Sequence, residues 1–186
     1  MSNLNFQKLK SYLRTNLHTN NHFLLVSGVV LITVIARLLP HIPNFTPVLA
    51  VALFLGTFSK NKNIAMLIPI SILFISDLFI GFYSTLPFVY ASVIGVTLLG
   101  SMNKSKSNAS NVINVLVSSL IFFIVTNLGV WLVDGLYTLD FNGLMNCFTM
   151  AIPFYKNELF SNIIFSSTLF GGKVILDNYS KQVSLQ

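Results

Sequence analysis

The chain has 186 residues, of which 54% are hydrophobic and 9% charged, and its mean hydropathy is +0.75. A soluble domain carries about 25% charged residues, so a water-facing surface is excluded and lipid is the natural solvent. The net charge of +6 does not indicate nucleic acid, because the basic residues sit in small groups between apolar runs, as topology-setting loop charges do.

Residues 1–22 hold Lys8, Lys10 and Arg14 and no acid, and read as a basic cytoplasmic segment. Leu4, Phe6, Leu9, Tyr12 and Leu13 would alternatively make one face of a short interfacial helix. The polar stretch ahead of the first apolar run, with no small-residue cleavage site after that run, indicates a retained span rather than a cleaved signal. Residues 23–176 are expected to form a membrane domain of six spans, at 23–39, 44–58, 64–83, 88–99, 112–133 and 158–176, followed by a cytoplasmic tail at 177–186. The predicted fold class is all-α: a polytopic bundle of about six transmembrane helices, with both termini in the cytoplasm.

The first run ends at Pro40, because Pro40, Pro43 and Pro47 cannot continue a helix. The second apolar run, 48–58, is short for a crossing, which needs roughly 20 residues; it is expected to start inside the PNFTP stretch, to tilt, or to thin the bilayer. The third run contains Pro69 and Asp77, and a minimal turn at 84–87 follows it. After the fifth run comes a long connection, 134–157, with a semi-apolar stretch GLMNCFTMAIPF suited either to dipping back toward the membrane or to capping the bundle.

Basic residues alternate by connection. Lys60 and Lys62 follow span two, and Lys104 and Lys106 follow span four. The connections after spans one and three carry none, and the one after span five carries only Lys156. This alternation supports the six spans and the cytoplasmic termini, and it requires the short second run to cross. Small-xxx-small pairs at Ala52/Gly56, Ala91/Gly95 and Ser167/Gly171 mark positions where helices can approach closely.

No phosphate loop, GxSxG, HExxH or CxxC motif is present, so neither an enzyme nor a cofactor or metal site is expected. His18 and His22 lie in the polar tail without ligand partners. The single cysteine, Cys147, excludes an internal disulfide and reads as a small packed hydrophobe. The informative residues are polar ones inside spans, because an ionisable group in lipid is costly and faces a partner or a cavity. Arg37, near the outer end of span one, and Asp77, in the outer half of span three, reach a similar depth and suit an ion pair. Asn127 on span five falls at the same level, and Glu158 opens span six from the outside. The layer so formed is either a structural clamp or the floor of an outward-facing pocket. Asn44 and Thr46 would add preformed hydrogen-bonding groups, and Phe45, Tyr83, Trp131 and Tyr137 would line the walls or form an interfacial belt.

The segments ARLLPHIPNFTPVLAVALF (36–54), ISDLFIGF (75–82), FFIVTNLGVW (122–131), GLMNCFTMAIPF (143–154) and LFGG (169–172) resemble a family of bacterial inner-membrane proteins described as transport proteins, over roughly residues 30–175. More distantly, the layout is similar to the substrate-binding S components of energy-coupling-factor transporters. That resemblance implies a multi-pass protein of the cytoplasmic membrane that binds a vitamin or micronutrient near its outer face. It also implies a transmembrane coupling subunit with ATPases as partner. Two features depart from the plan: span one lacks an alanine-xxx-alanine docking signature, and the loop after span three is very short.

Three functions compete. A transport protein would capture a small organic solute with Arg37, Asn44, Thr46, Asp77, Asn127, Trp131 and Glu158, Arg37 meeting an anionic group. A membrane scaffold or assembly factor would have a filled bundle and an apolar protein-binding face. A membrane enzyme would use Asp77, His41 and Glu158 as acid–base groups.

Overall fold

The structure, a computed structural model, describes residues 27–40 and 42–184. The readings of the 1–22 segment, of His18 and His22 and of His41 concern positions outside the described residues. The chain divides into two units, residues 1–32 and 33–186. Of the first, residues 27–32 are described and are helical. The second holds the rest of that helix and the remainder of the fold.

Among the described residues the protein is all-helical. The helices are α1 (Ser27–Leu38), α2 (Val48–Phe58), α3 (Lys62–Ile80), α4 (Leu86–Met102), α5 (Asn108–Val133) and α6 (Phe141–Ser184). Their starts follow from local chemistry. Asn61 Oδ1 accepts the N–H groups of Asn63 (3.0 Å) and Ile64 (3.3 Å) and caps α3. Ser107 Oγ accepts Ser110 N–H at 3.2 Å and caps α5. Asp140 Oδ1 does the same for α6, accepting Gly143 N–H at 2.7 Å. Helix α4 carries Pro87 in its first turn, where no N–H is needed.

The shortest apolar segment lies at the centre. Helix α2 packs on α3, α4, α5 and α6, and eight of its 11 residues are buried. At 1.5 Å per residue it is about 16 Å long, roughly half of a ~30 Å hydrocarbon core. Its neighbours, rather than lipid, surround it, so its length need not match the bilayer. Its tightest seam is with α4. A Cβ on Gly56 would collide with the Thr97 carbonyl, and one on Gly100 would come to 2.5 Å from the Leu53 carbonyl oxygen. Among the described residues, only the first of the three small-xxx-small pairs marks such a contact: Gly95 has its nearest neighbour, an Ile121 methyl, at 3.8 Å, and Gly171 has nothing within 4 Å.

The largest correction concerns α6. Residues 141–157, read from the sequence as part of a connection, are helical and continuous with the expected sixth span, so that one helix runs 44 residues from Phe141 to Ser184. Pro153 lies inside it without ending it. The connection shrinks to 134–140. Helix α6 runs antiparallel to α5, with Cys147 against Asn127, Tyr155 against Phe123, Glu158 against Ser119 and Asn162 against Val115. Glu158 therefore sits beside the middle of α5, not at a span end. A tilted ring pair, Phe123 and Tyr155 with centroids 4.7 Å apart, helps hold this stretch helical against its partner.

Three helices are long and apolar enough to cross a membrane: α3, α5 and the Phe141–Tyr179 part of α6. Large apolar side chains such as Leu67, Phe79, Phe160 and Ile175 face outward, an arrangement that suits lipid. The chain is a helical membrane protein. Its connections gather at two ends. At one, the Ser84 hydroxyl donates to Asp134 Oδ1 at 2.8 Å and ties loop 81–85 to loop 134–140. At the other, the ammonium groups of Lys106 and Lys173 stand 5.6 and 5.4 Å from the Phe58 ring centroid.

Candidate binding site

Arg37, in the last turn of α1, and Asp77, in the last turn of α3, form an ion pair with Nη2 and Oδ1 3.0 Å apart. Asp77 Oδ2 accepts the Tyr90 hydroxyl at 3.0 Å from α4. Arg37 Nη1 donates to the Ser76 hydroxyl and to the Leu73 carbonyl (3.4 Å). The Asp77 side chain is fully buried and that of Arg37 is 11% exposed. Charge in such a place is tolerated only when matched and hydrogen-bonded; here the charges are matched, and Asp77 Oδ2 and Arg37 Nη1 are hydrogen-bonded, while Asp77 Oδ1 meets Arg37 through the ion pair alone.

Arg37 faces a cavity of about 180 Å³ that is lined also by Asn44, Thr46, Leu49, Val93 and Glu158. A second cavity of about 470 Å³ lies next to it, under the loops at the Ser84–Asp134 end, with Asn127, Asp134, Tyr137 and Cys147 in its wall. Asn44, Tyr83, Val89 and Phe122 line both. Together they form an inner chamber and an outer vestibule, apolar in most of their wall with a few placed polar groups, as small-molecule sites are built.

The inner chamber is held from α6. Ser161 Oγ donates to the Thr46 carbonyl at 2.8 Å, and Asn157 Nδ2 donates to the Pro43 carbonyl at 3.2 Å. These bonds fix the proline-rich turn whose Asn44 adopts φ +62°, a left-handed conformation that Asn tolerates better than most residues. Below them runs a polar ladder. Glu158 Oε1 accepts the Ser119 hydroxyl at 3.2 Å. Asn162 Nδ2 reaches Ser118 Oγ (2.8 Å) and Ser119 Oγ (2.9 Å), and its Oδ1 accepts Ser166 Oγ at 3.2 Å. Glu158 Oε2 is buried with no hydrogen-bond partner among the described residues.

The structure thus brings Arg37, Asn44, Thr46 and Glu158 to one cavity, although Glu158 reaches it from mid-helix. Asp77 stands behind Arg37 and does not line the cavity. Asn127 lines the outer vestibule, and its Nδ2 donates to the Phe123 carbonyl at 2.7 Å. Trp131 lines neither cavity. Its indole N–H donates to the Thr138 carbonyl at 2.9 Å and pins the 134–140 loop. Cys147 is buried with its thiol on the Asn127 carbonyl (3.4 Å). Tyr90, Ser119, Ser161 and Asn162 were not singled out from the sequence. The signal for the ladder was present: Glu158, Asn162 and Ser166 recur every four residues, one face of a helix.

Among the described residues, no three His, Cys, Asp or Glu side chains gather as a metal site. Residues 17–183 match a family described as a family of unknown function, DUF6580. No curated protein and no solved structure matches the chain.

Proposed function

The chain belongs to the DUF6580 family, and we propose that it is a membrane transport protein that binds a small organic solute of the vitamin or micronutrient class. The observation that carries this reading is the inner cavity of about 180 Å³ flanked by Arg37 and Glu158, adjoining a vestibule of about 470 Å³. A scaffold has no need of a chamber inside its bundle with Arg37 and Glu158 in its wall. Maintaining one costs buried polar surface, and a ligand offsets that cost.

In this reading the six helices all belong to the bilayer-embedded bundle, and the end that carries Lys60, Lys104, Lys106 and Lys173 is cytoplasmic. The end with Asp134 and Asp140, and with it the mouth of the vestibule, faces outward. Both termini are then cytoplasmic, in the inner membrane of a bacterium. The sequence has no ATP-binding motif, so accumulation of the solute requires an ion gradient or a coupling subunit with ATPases.

The reading is tested by thermal stabilisation of the detergent-purified protein against a library of vitamins, nucleobases and amino acids. A solute that binds the folded state raises the melting temperature. Val89→Trp places an indole where the two cavities join. Hits that disappear in this variant support the reading; hits that persist in it, or no hits at all, favour the scaffold.

A further inference from the structure

The charges around the two cavities are lopsided. Among the described residues, Arg37 and Glu158 are the charged side chains lining the inner cavity, and Asp134 is the one lining the vestibule. Arg37 is matched by Asp77 at 3.0 Å, and its Nη1 is engaged with Ser76 and the Leu73 carbonyl. Neither acid has an ion-pair partner among the described residues. Asp134 Oδ1 accepts the Ser84 hydroxyl. Glu158 is 4% exposed, and one carboxylate oxygen, Oε2, has no hydrogen-bond partner among the described residues.

We propose that the solute carries a protonated nitrogen, which enters past Asp134 and docks on the Glu158 carboxylate. This rests on the solute-binding reading above and names the chemistry of its ligand. A buried carboxylate needs a donor or an opposite charge, and an ammonium or guanidinium group supplies both in one charge-assisted hydrogen bond. An anionic solute gains little here. The field of Arg37 is offset by Asp77, so it offers an anion little net attraction. The shared aromatic wall, Tyr83 and Phe122, suits a cation as well. The two acids also lie in order along the path, Asp134 in the vestibule and Glu158 within, so attraction continues inward.

The experiment uses pairs of probes of similar shape and opposite charge: tyramine with 3-(4-hydroxyphenyl)propionate, tryptamine with indole-3-propionate, and putrescine with succinate. Thermal shifts and equilibrium binding are measured on the detergent-purified full chain, on Glu158→Gln and on Val89→Trp. At least one amine is expected to stabilise the wild type while its carboxylate counterpart does not. Glu158→Gln is expected to weaken that amine about tenfold or more while keeping a near-native melting temperature, since Gln can still accept from Ser119. Carboxylate probes that bind, and are lost in Val89→Trp, would overturn the cation assignment and leave the solute-binding site standing. Amine binding unchanged in Glu158→Gln would remove Glu158 from recognition. No probe sensitive to the plug would sink the binding reading and this inference with it. Should Val89→Trp fail to fold, Val93→Phe, on the wall of the inner cavity, replaces it as the plug.

Discussion

Asp77 Oδ1 meets Arg37 Nη2 at 3.0 Å, and the opposite oxygen of the same carboxylate accepts the Tyr90 hydroxyl at 3.0 Å. The three residues come from α1, α3 and α4, so the pair joins three helices beside the inner cavity. Removing one partner leaves a buried charge alone, at a cost of about 3–5 kcal/mol. Arg37→Met and Asp77→Asn are each expected to lose stability of that order in detergent unfolding, and Tyr90→Phe about 1 kcal/mol. The double variant Arg37→Met/Asp77→Asn is expected to recover much of the loss, because both charges leave together. Additive losses in the double variant would show that the two side chains are not coupled.

The α2–α4 seam gives a steric prediction. Backbone atoms of Leu53 and Thr97 occupy the space that a side chain at Gly100 or Gly56 would need, and backbone cannot step aside as a flexible side chain can. Gly56→Ala and Gly100→Ala are expected to cost about 1–3 kcal/mol each or more. Gly171→Ala, which meets open space, is expected to leave the melting temperature unchanged. Equal tolerance at all three positions would contradict the seam.

Asp140 makes stability pH-dependent at the start of α6. The Gly143 backbone N–H and then the Thr138 hydroxyl bond its carboxylate, holding its pKa below the ordinary Asp value. A depressed carboxyl pKa contributes stability that is fully present above the unfolded value, near 3.9, and that is lost as pH falls through the folded value. Asp140→Ala is expected to melt below wild type at neutral pH, with the gap closing as pH drops under about 4. Asp140→Asn keeps a capping oxygen and is expected to melt nearer wild type at neutral pH. A gap that is independent of pH would exclude the charged cap.

Ser161 bonds the Thr46 carbonyl at 2.8 Å. Ser161→Ala is expected to cost about 1 kcal/mol and to speed amide hydrogen exchange in residues 42–47. Exchange unchanged in that segment would mean that α6 does not hold the turn.

Much of this arrangement was legible in the sequence. Arg37 and Asp77 interrupt apolar runs, and because ionisable groups in such runs need partners, matching their depths was enough to pair them. Asn44 and Thr46 were visible because prolines on either side fix the turn. The depth of Glu158 was not legible. Asn146, Thr149, Pro153 and Asn157 look like a polar interruption, yet their helix packs against α5, where tertiary contacts override propensity. The helix start at 141 was missed although Asp140, three residues before Gly143, is an ordinary helix cap. The short α2 read as a marginal span because the lipid rule assumes a lipid-facing helix, and it is enclosed by four others.

The central claim, a solute chamber reached from the outward end, is tested most directly by cysteine accessibility in whole cells. In a Cys147→Ser background, Thr126→Cys puts a thiol on the vestibule wall, and Ser105→Cys puts one in the exposed loop at the opposite, basic end. A membrane-impermeant maleimide is expected to label Thr126→Cys in intact cells, and a bound solute is expected to block it. Ser105→Cys is expected to react only after the membrane is opened. The reverse pattern, or a Thr126→Cys thiol that never reacts, would contradict an outward-open chamber.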